Sequence, residues 1–277
     1  MENSATRNWP IKKVNAETPV DAIEFLAVEE PLEIILVYST TNGRTKKNIS
    51  VTMRTPGDDE DLAIGFLFSE GIINEAAQVN TIQHNRLDAN QVIVTLHENE
   101  MPCLENISRN FFSSSACGIC GKTTTGGIRG NEVSTPMMDR ISIPAKLLYQ
   151  FPSKLLEAQE HFSSTGGLHA AAIADHLGNI CLLREDIGRH NAVDKVIGAA
   201  LQKPALCLNN GILLLSGRAG FELVQKAARA RVPVIASIGA PSSMAVETAG
   251  EYGITLIGFL RAERFNIYCG ADRIIIE

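Results

Sequence analysis

The sequence predicts an α/β protein in two parts. A small α+β unit occupies residues 1–107 and a three-layer αβα domain 141–277, with a thiol loop and linker, expected to be mobile, at 108–140. Three observations predict this. Two strand-like runs flank Asn42-Gly43, a strong hairpin signal. From Pro144 onward short apolar runs alternate with helical patterns, as in a parallel sheet clothed on both faces. Between these regions serine, threonine and glycine dominate, and neither the strand nor the helix period survives.

Residues 1–24 read as a loosely held lead-in. LEIILVYSTTNGRTKKNISVTMRT then gives the hairpin. GDDEDLAIGFLFSEGII reads as a helix, because acidic residues occupy its first turn and Gly71 follows its last apolar turn. NTIQHNRL and QVIVTLHE form a second hairpin turning at Asp88-Ala89-Asn90. The β-β-α-β-β unit ends near Pro102. In the second half AKLLYQFPSKLLEAQEHF is helical, and Pro152 should kink or split it. LHAAAIAD and NICLLRED are strands joined at Leu177-Gly178, and RHNAVDKVIGAAL is a helix. GILLLSG, PVIASIG and ITLIGFL are strands separated by the helices FELVQKAARAR and SSMAVETAGEYG. RFNIYCG and RIIIE close the chain.

The 277 residues carry a formal net charge of −6, with 45% hydrophobic and 20% charged residues. That balance describes a globular protein without general attraction to nucleic acid, so an anionic ligand must meet a local basic patch. No apolar run reaches membrane-spanning length, and MENSATRNWPIKK lacks the apolar core of a signal peptide; a cytoplasmic location is expected. Of six cysteines only Cys117 and Cys120 lie close together. Cys181 and Cys207 stand in apolar strand-like runs and are expected to be small buried hydrophobes.

In an open α/β sheet, ligands gather at the carboxyl ends of the strands. Those ends read SGRAG (216–220), GAPSS (239–243) and FLRAER (259–264). The first two bring glycine and serine to helix starts, where backbone N–H groups can face phosphate. Arg218, Arg261 and Arg264 add guanidinium groups suited to phosphate oxygens.

The thiol pair Cys117-Gly-Ile-Cys120 admits several readings. Zinc needs further ligands, and neither His161, His169, His176, His190 nor Cys103 forms a second paired motif. A deaminase-type zinc site needs H-x-E, but His169 is followed by alanines. A thioredoxin-like switch would sit at a strand–helix junction. A loop thiolate that accepts, holds and passes on sulfur fits this Gly/Ser-rich setting. His169 and His190 are candidates for proton transfer, though ordinary local hydrogen bonding explains each. Glu185 and Asp186 are expected to cap or precede the helix that follows Gly188, and Arg189 to face ligand.

CGICG (117–121), STGGLHAAA (164–172), REDIGRHNAVDKVIGAA (184–200), SGRAGFELVQKAA (216–228) and TLIGFLRAERFNIY (255–268) together resemble the formate dehydrogenase accessory sulfurtransferase family, FdhD/NarQ. The resemblance implies a cytidine-deaminase-like C-terminal domain without its zinc site, in a cytoplasmic protein. It also implies a sulfurtransferase with a cysteine persulfide intermediate, required for formate dehydrogenase activity. A cysteine desulfurase loads the loop cysteine, and the sulfur passes to molybdenum bis(molybdopterin guanine dinucleotide), bound as cargo, before insertion into formate dehydrogenase. The family's persulfide cysteine matches Cys117, with Cys120 beside it. The cofactor-contact segment matches Phe259, Leu260, Arg261, Ala262, Glu263 and Arg264, with Arg218 nearby. Members often carry Lys-Pro-Gly-Arg where this chain has Arg-Ala-Glu-Arg, so Glu263 stands beside a polyanion. They often carry cysteine where Gly167 stands. Guanine nucleotides are expected to bind as cofactor mimics, the protein itself to hold no metal, and the chain to form a homodimer. A non-catalytic cofactor chaperone and a zinc-dependent deaminase-like hydrolase remain alternatives.

Overall fold

The amino-terminal stretch departs from the expected loose lead-in. In the computed structural model, which describes residues 5–15, 18–104, 141–203, 205–206 and 208–276, it forms strands β1 (Thr6–Asn15) and β2 (Thr18–Ala27). They pair antiparallel from Thr6↔Ala27 to Asn15↔Thr18 as a separate two-stranded ribbon. Most of its residues are exposed, including Trp9, Val20, Ile23 and Phe25. A ribbon with no buried face has no reason to alternate polar and apolar residues, so the signal that marks strands was missing. The backbone ladder and cross-strand pairs such as Lys12–Asp21 hold it instead.

The next sheet has the order β4-β3-β6-β5. β3 (Glu30–Thr40) and β4 (Gly43–Arg54) form the first hairpin. Thr40 pairs with Gly43, so the loop is Thr41-Asn42, one residue earlier than expected, with Gly43 at φ 106° leading the return strand. The helix α1 (Asp59–Ser69) follows, and Gly71 past its end takes φ 75°. β5 (Val79–Asn85) and β6 (Asp88–Leu96) form the second hairpin. Its turn is Arg86-Leu87 rather than Asp88-Ala89-Asn90, because the Asn85 side chain accepts the Leu87 N–H at 3.1 Å and starts the reversal earlier.

In the second half β7 (Ile143–Pro144) pairs with the last strand, β14 (Ile274–Ile275), tying the two ends of this region together. The long helical stretch splits into α2 (Ala145–Leu148), α3 (Phe151–Ala158) and α4 (Glu160–Thr165), with Pro152 in the first turn of α3. β8 (His169–Ala174) and β9 (Ile180–Asp186) form a hairpin closed by the Asp175 carboxylate, which accepts from Leu177 and Asn179. Then come α5 (Arg189–Leu201), β10 (Ile212–Leu215), α6 (Phe221–Arg229), β11 (Val234–Ser237), α7 (Ser243–Glu251), β12 (Thr255–Gly258) and β13 (Asn266–Cys269).

The six-stranded sheet runs β13-β12-β11-β10-β8-β9. β10, β11 and β12 are parallel, as their four-residue apolar runs require, while β8 and β13 run antiparallel to their neighbours. One face presents Ala171, Ile173, Leu213, Leu215, Ile235 and Leu256 to α5, α6 and α7. The other presents Ala172, Ala174, Ile212, Leu214 and Ile257 to α2 and α3. Helices thus cover both faces, an α/β architecture in three layers.

Helix α5 joins the two halves. Every residue from His190 to Ala200 is buried. A Cβ on Gly65 would stand 1.8 Å from the Asp194 carbonyl oxygen, and one on Gly198 would stand 1.9 Å from that of Asp61. Only glycine lets the α1 and α5 backbones approach this closely. The first core cluster therefore runs without a break from β3, α1 and β6 through α5 to the large sheet.

Candidate functional site: the carboxyl edge of the large sheet

The three strand-end loops do converge. Ile238 donates to Leu215, Gly239 to Gly217 at 2.9 Å, Ser242 to Ala219, Phe259 to Gly239 and Leu260 to Ser237 at 3.1 Å. The hydroxyl of Ser237, buried at the end of β11, lies 3.0 Å from the Gly217 carbonyl and 2.8 Å from that of Gly239. A Cβ on Gly239 would fall 2.7 Å from the Gly217 oxygen, so this close lacing requires glycine. Two helices start from the laced loops. Gly220 begins α6 without a side-chain cap, while Ser242 begins α7 and its hydroxyl accepts the Ala245 N–H at 3.2 Å.

The segment Phe259–Arg264 divides by role. Leu260 is 1% exposed and anchors the segment in the core beneath the edge. Arg261 turns back, its guanidinium donating to the carbonyls of Ile238 and Leu260, and its N–H meets the Arg264 carbonyl at 2.8 Å. Phe259 holds φ 51°, a left-handed conformation costly for a bulky residue, and leaves 43% of its surface exposed. Ala262, Glu263 and Arg264 are exposed, as is Arg218 in the neighbouring loop. The structure therefore brings Arg218 together with Phe259–Arg264. Cys117 and Cys120 lie outside the described residues.

A second group completes the edge. His169 opens β8 opposite Asp186, the last residue of β9, and Arg189 begins α5 three residues later. The bond from Ser216 N–H to the Ala170 carbonyl brings the β10 loop alongside, and a Cβ on Gly217 would touch His169 Nδ1 at 3.2 Å. Burial first, and then the positive charge of Arg189, hold His169 below its ordinary 6.5; His190 and Arg218 add to this, and Asp186 opposes it. His190 Nε2 lies 2.8 Å from Glu222 Oε2 in the first turn of α6. His190 was singled out in the sequence, but its partner Glu222 and Ser237 were not. A polar residue ending the otherwise apolar strand VIAS was the available signal for Ser237.

The acidic pair before α5 divides: Asp186 serves at that helix start as expected, and Glu185 serves elsewhere. Glu185 caps α4 instead, accepting from the N–H groups of His161 and Phe162 at 2.9 and 2.8 Å. Asp186 is fully buried and accepts from Thr55, Gly188 and Asn191, with Lys195 Nζ at 2.8 Å. Asn191 also donates to the Met53 carbonyl and Lys195 to that of Thr55, so this string fastens the first half of the chain to the edge. Cys181 is exposed, contrary to expectation, because β9 is the outermost strand; Cys207 lies outside the described residues. Burial pushes the Cys181 and Cys269 thiols up, which leaves both protonated near neutrality and poor nucleophiles. Among the described residues no group of three His, Cys, Asp or Glu side chains could hold a metal ion, and no helix is long and apolar enough to cross a membrane.

Comparison with known proteins agrees with the motifs on this edge. A family model described as the FdhD/NarQ family matches residues 27–275. The chain is 45% identical over 258 residues to the sulfur carrier protein FdhD of Mycolicibacterium paratuberculosis, covering 91% of this chain and 92% of the relative. It is 41% identical over 280 residues to the protein of that name from Mycobacterium tuberculosis, covering 98% and 99%. A crystal structure assigned to a formate dehydrogenase accessory protein of Desulfotalea psychrophila superposes with a TM-score of 0.72 at 24% identity, covering 98% of this chain and 100% of that one, and supports the fold. Because the family match runs across the hairpins, the buried α5 string and the strand-end loops alike, the chain belongs to the FdhD/NarQ family.

Proposed function

We propose that this protein is a sulfur carrier that takes persulfide sulfur from a cysteine desulfurase and passes it to the molybdenum cofactor before insertion into formate dehydrogenase. The observation that carries the reading is the pair Cys117-Gly-Ile-Cys120 on a chain 45% identical to a protein named sulfur carrier. In loading, the Cys117 thiolate attacks the outer sulfur of the donor persulfide. A new S–S bond forms as the donor's breaks, and the donor cysteine leaves as thiolate, with no net oxidation. In delivery the outer sulfur takes two electrons from the cargo metal as it becomes sulfide, and Cys117 is released as thiolate. Cys120, three residues on, is secondary.

The cargo, molybdenum bis(molybdopterin guanine dinucleotide), would lie along the carboxyl edge. Its phosphates would meet the loop backbone and the guanidinium groups of Arg218 and Arg264, and the exposed ring of Phe259 would take the guanine by stacking. Arg261, already committed to two carbonyls, would brace the loop rather than bind. We read the large sheet as deaminase-like, on the strength of an antiparallel hairpin feeding three parallel strands with helices on both faces. A homodimer in the cytoplasm completes the reading.

Intact-mass analysis after incubation with a cysteine desulfurase and cysteine tests it. Wild-type protein should gain sulfur that reductant removes, and Cys117→Ala should not. Equal loading of Cys117→Ala, with loss in Cys120→Ala, would assign the other thiol. Full formate dehydrogenase maturation by Cys117→Ala would favour a chaperone that delivers the cofactor unmodified.

A further inference from the structure

The ribbon of β1 and β2 gathers apolar surface that the body of the protein does not cover. Trp9, Val14, Val20, Ile23, Phe25 and Leu26 are all exposed on it, Ile23 to 72%. The ribbon joins the body at its root, where Val28 donates to the Ala5 carbonyl, Arg7 reaches Glu30 at 3.5 Å and Ala27 stands beside Gly167. A lone two-stranded hairpin is marginal in water, and a contiguous exposed apolar patch marks an interaction surface. Alternation and register sort the side chains into two faces. One face holds Pro10, Val14, Pro19, Ile23 and Phe25, and its two charges, Lys12 and Asp21, pair with each other at 2.7 Å. The other holds Trp9, Ile11, Val20 and Leu26 among Arg7, Lys13 and Glu24. Both faces are apolar, so a partner met only at intervals would leave them bare between encounters. A partner made in equal number, a second copy of the chain, covers them throughout.

We propose that the β1–β2 ribbon is an arm that a second copy of this chain covers on both faces, the two arms stacking through the face of Ile23 and Phe25. This assignment rests on the homodimer of the reading above and names its surface. The charges of the arm are self-complementary. β1 carries only basic residues, Arg7, Lys12 and Lys13, and β2 only acidic ones, Asp21 and Glu24. A two-fold axis along the stacked arms sets each basic strand over an acidic one. Pro10 and Pro19, which a strand accommodates where the missing N–H faces outward, blunt the edges against strand addition, so the faces are the seat. Ten residues at about 3.3 Å each and two strands about 5 Å apart make a face of roughly 33 Å by 10 Å. Both faces together come to roughly 700 Å², near the ~800 Å² per partner of a stable interface, whereas one face alone falls well short.

Analytical ultracentrifugation of the full chain tests the assignment. Wild-type protein should be dimeric at micromolar concentration. Ile23→Glu with Phe25→Glu should raise the dimer dissociation constant by at least about thirtyfold. Leu87→Glu, a control at the exposed turn between β5 and β6, should leave it unchanged. Should the glutamates prevent the ribbon from forming, Ile23→Thr with Phe25→Thr keeps strand propensity, and the same sign is expected. Charge reversal reads the register. Asp21→Lys with Glu24→Lys makes the arm wholly basic, and Lys12→Glu with Lys13→Glu makes it wholly acidic. Each should associate poorly with itself, and an equimolar mixture of the two should restore dimers at low salt. Variants that stay monomeric when mixed overturn the stacking of basic over acidic strands. A dimer untouched by all of these changes overturns the arm and leaves the homodimer intact. A wild type that is monomeric overturns both and leaves the sulfur-carrier reading standing. So does a monomer whose residues 6–27 gain hydrogen-exchange protection only when a cysteine desulfurase is added, since a different protein then occupies the ribbon.

Discussion

Arg54 has no exposed surface, and its guanidinium meets both carboxylate oxygens of Asp59 at 2.9 Å, with Asn90 at 3.0 Å. Removing one partner of such a pair strands a buried charge, at a cost of about 3–5 kcal/mol. Asp59→Ala should lose that much in urea unfolding. Lys12–Asp21 on the exposed ribbon is shorter, 2.7 Å, yet its side chains are 69% and 84% exposed, so Lys12→Ala should shift stability by no more than about 1 kcal/mol. Distance alone does not rank the two pairs; burial does. His169 adds a pH dependence. Its folded pKa lies below the unfolded value of 6.5, so the folded state binds fewer protons there. The sign follows: stability is fully present above pH 6.5 and is lost as pH falls through 6.5 toward the folded value. Unfolding curves from pH 8 to 5.5 should fall more steeply for wild type than for His169→Asn, and parallel curves would refute the assignment.

The crossing of α1 on α5 is the element on which the molecule depends. A methyl group added at Gly65 or Gly198 would meet backbone rather than a side chain that can swing away, at 1.8 and 1.9 Å. Gly65→Ala and Gly198→Ala should each cost about 3 kcal/mol or more, at the upper end of overpacking penalties. Gly250 in α7 has nothing within 4 Å of an added Cβ, so Gly250→Ala should be neutral or stabilising by up to about 1 kcal/mol. Equal losses at all three sites would mean that helix propensity, and not the close crossing, sets the effect. Polar contacts reinforce the crossing. Asp194 on α5 accepts from Lys226 on α6 at 2.8 Å and from Ser69 on α1, and Arg184 on β9 reaches Asp61 at 2.7 Å.

At the scale of the whole molecule, one core cluster spans both halves of the chain. α5 lies between α1 and the large sheet with all its residues from His190 to Ala200 buried, so neither half can close its core without the other. Chemical unfolding followed by far- and near-ultraviolet dichroism should give one coincident transition, and hydrogen exchange should protect α1 and α5 to the same free energy. Two separated transitions would show that the halves are stable independently. The same docking positions the ligand edge, because Met53 and Thr55 hold Asn191, Asp186 and Lys195 at the start of α5, where Arg189 stands.

The sequence by itself determined most elements of the second half. Short apolar runs of four residues bounded by glycine can only be strands buried on both faces, and the helices between them force those strands parallel. It also determined that the strand ends at 216–220, 239–243 and 259–264 would meet, since parallel strands put their carboxyl ends on one edge. The ribbon of β1 and β2 was not legible, because strands without a buried face carry no alternation. The turn at Arg86-Leu87 was set by a hydrogen bond from the Leu87 N–H to the Asn85 side chain, a contact that local propensity does not rank. Only tertiary structure decided that Leu260 is an anchor and Arg261 a brace, that Glu185 caps a helix earlier in the chain, and that Arg189, His169 and Arg218 share one corner. Those outcomes depend on which residues distant in sequence come to face one another. Hydrophobic periodicity fixes the faces of an element, but the neighbours of a polar side chain are fixed by how the elements pack.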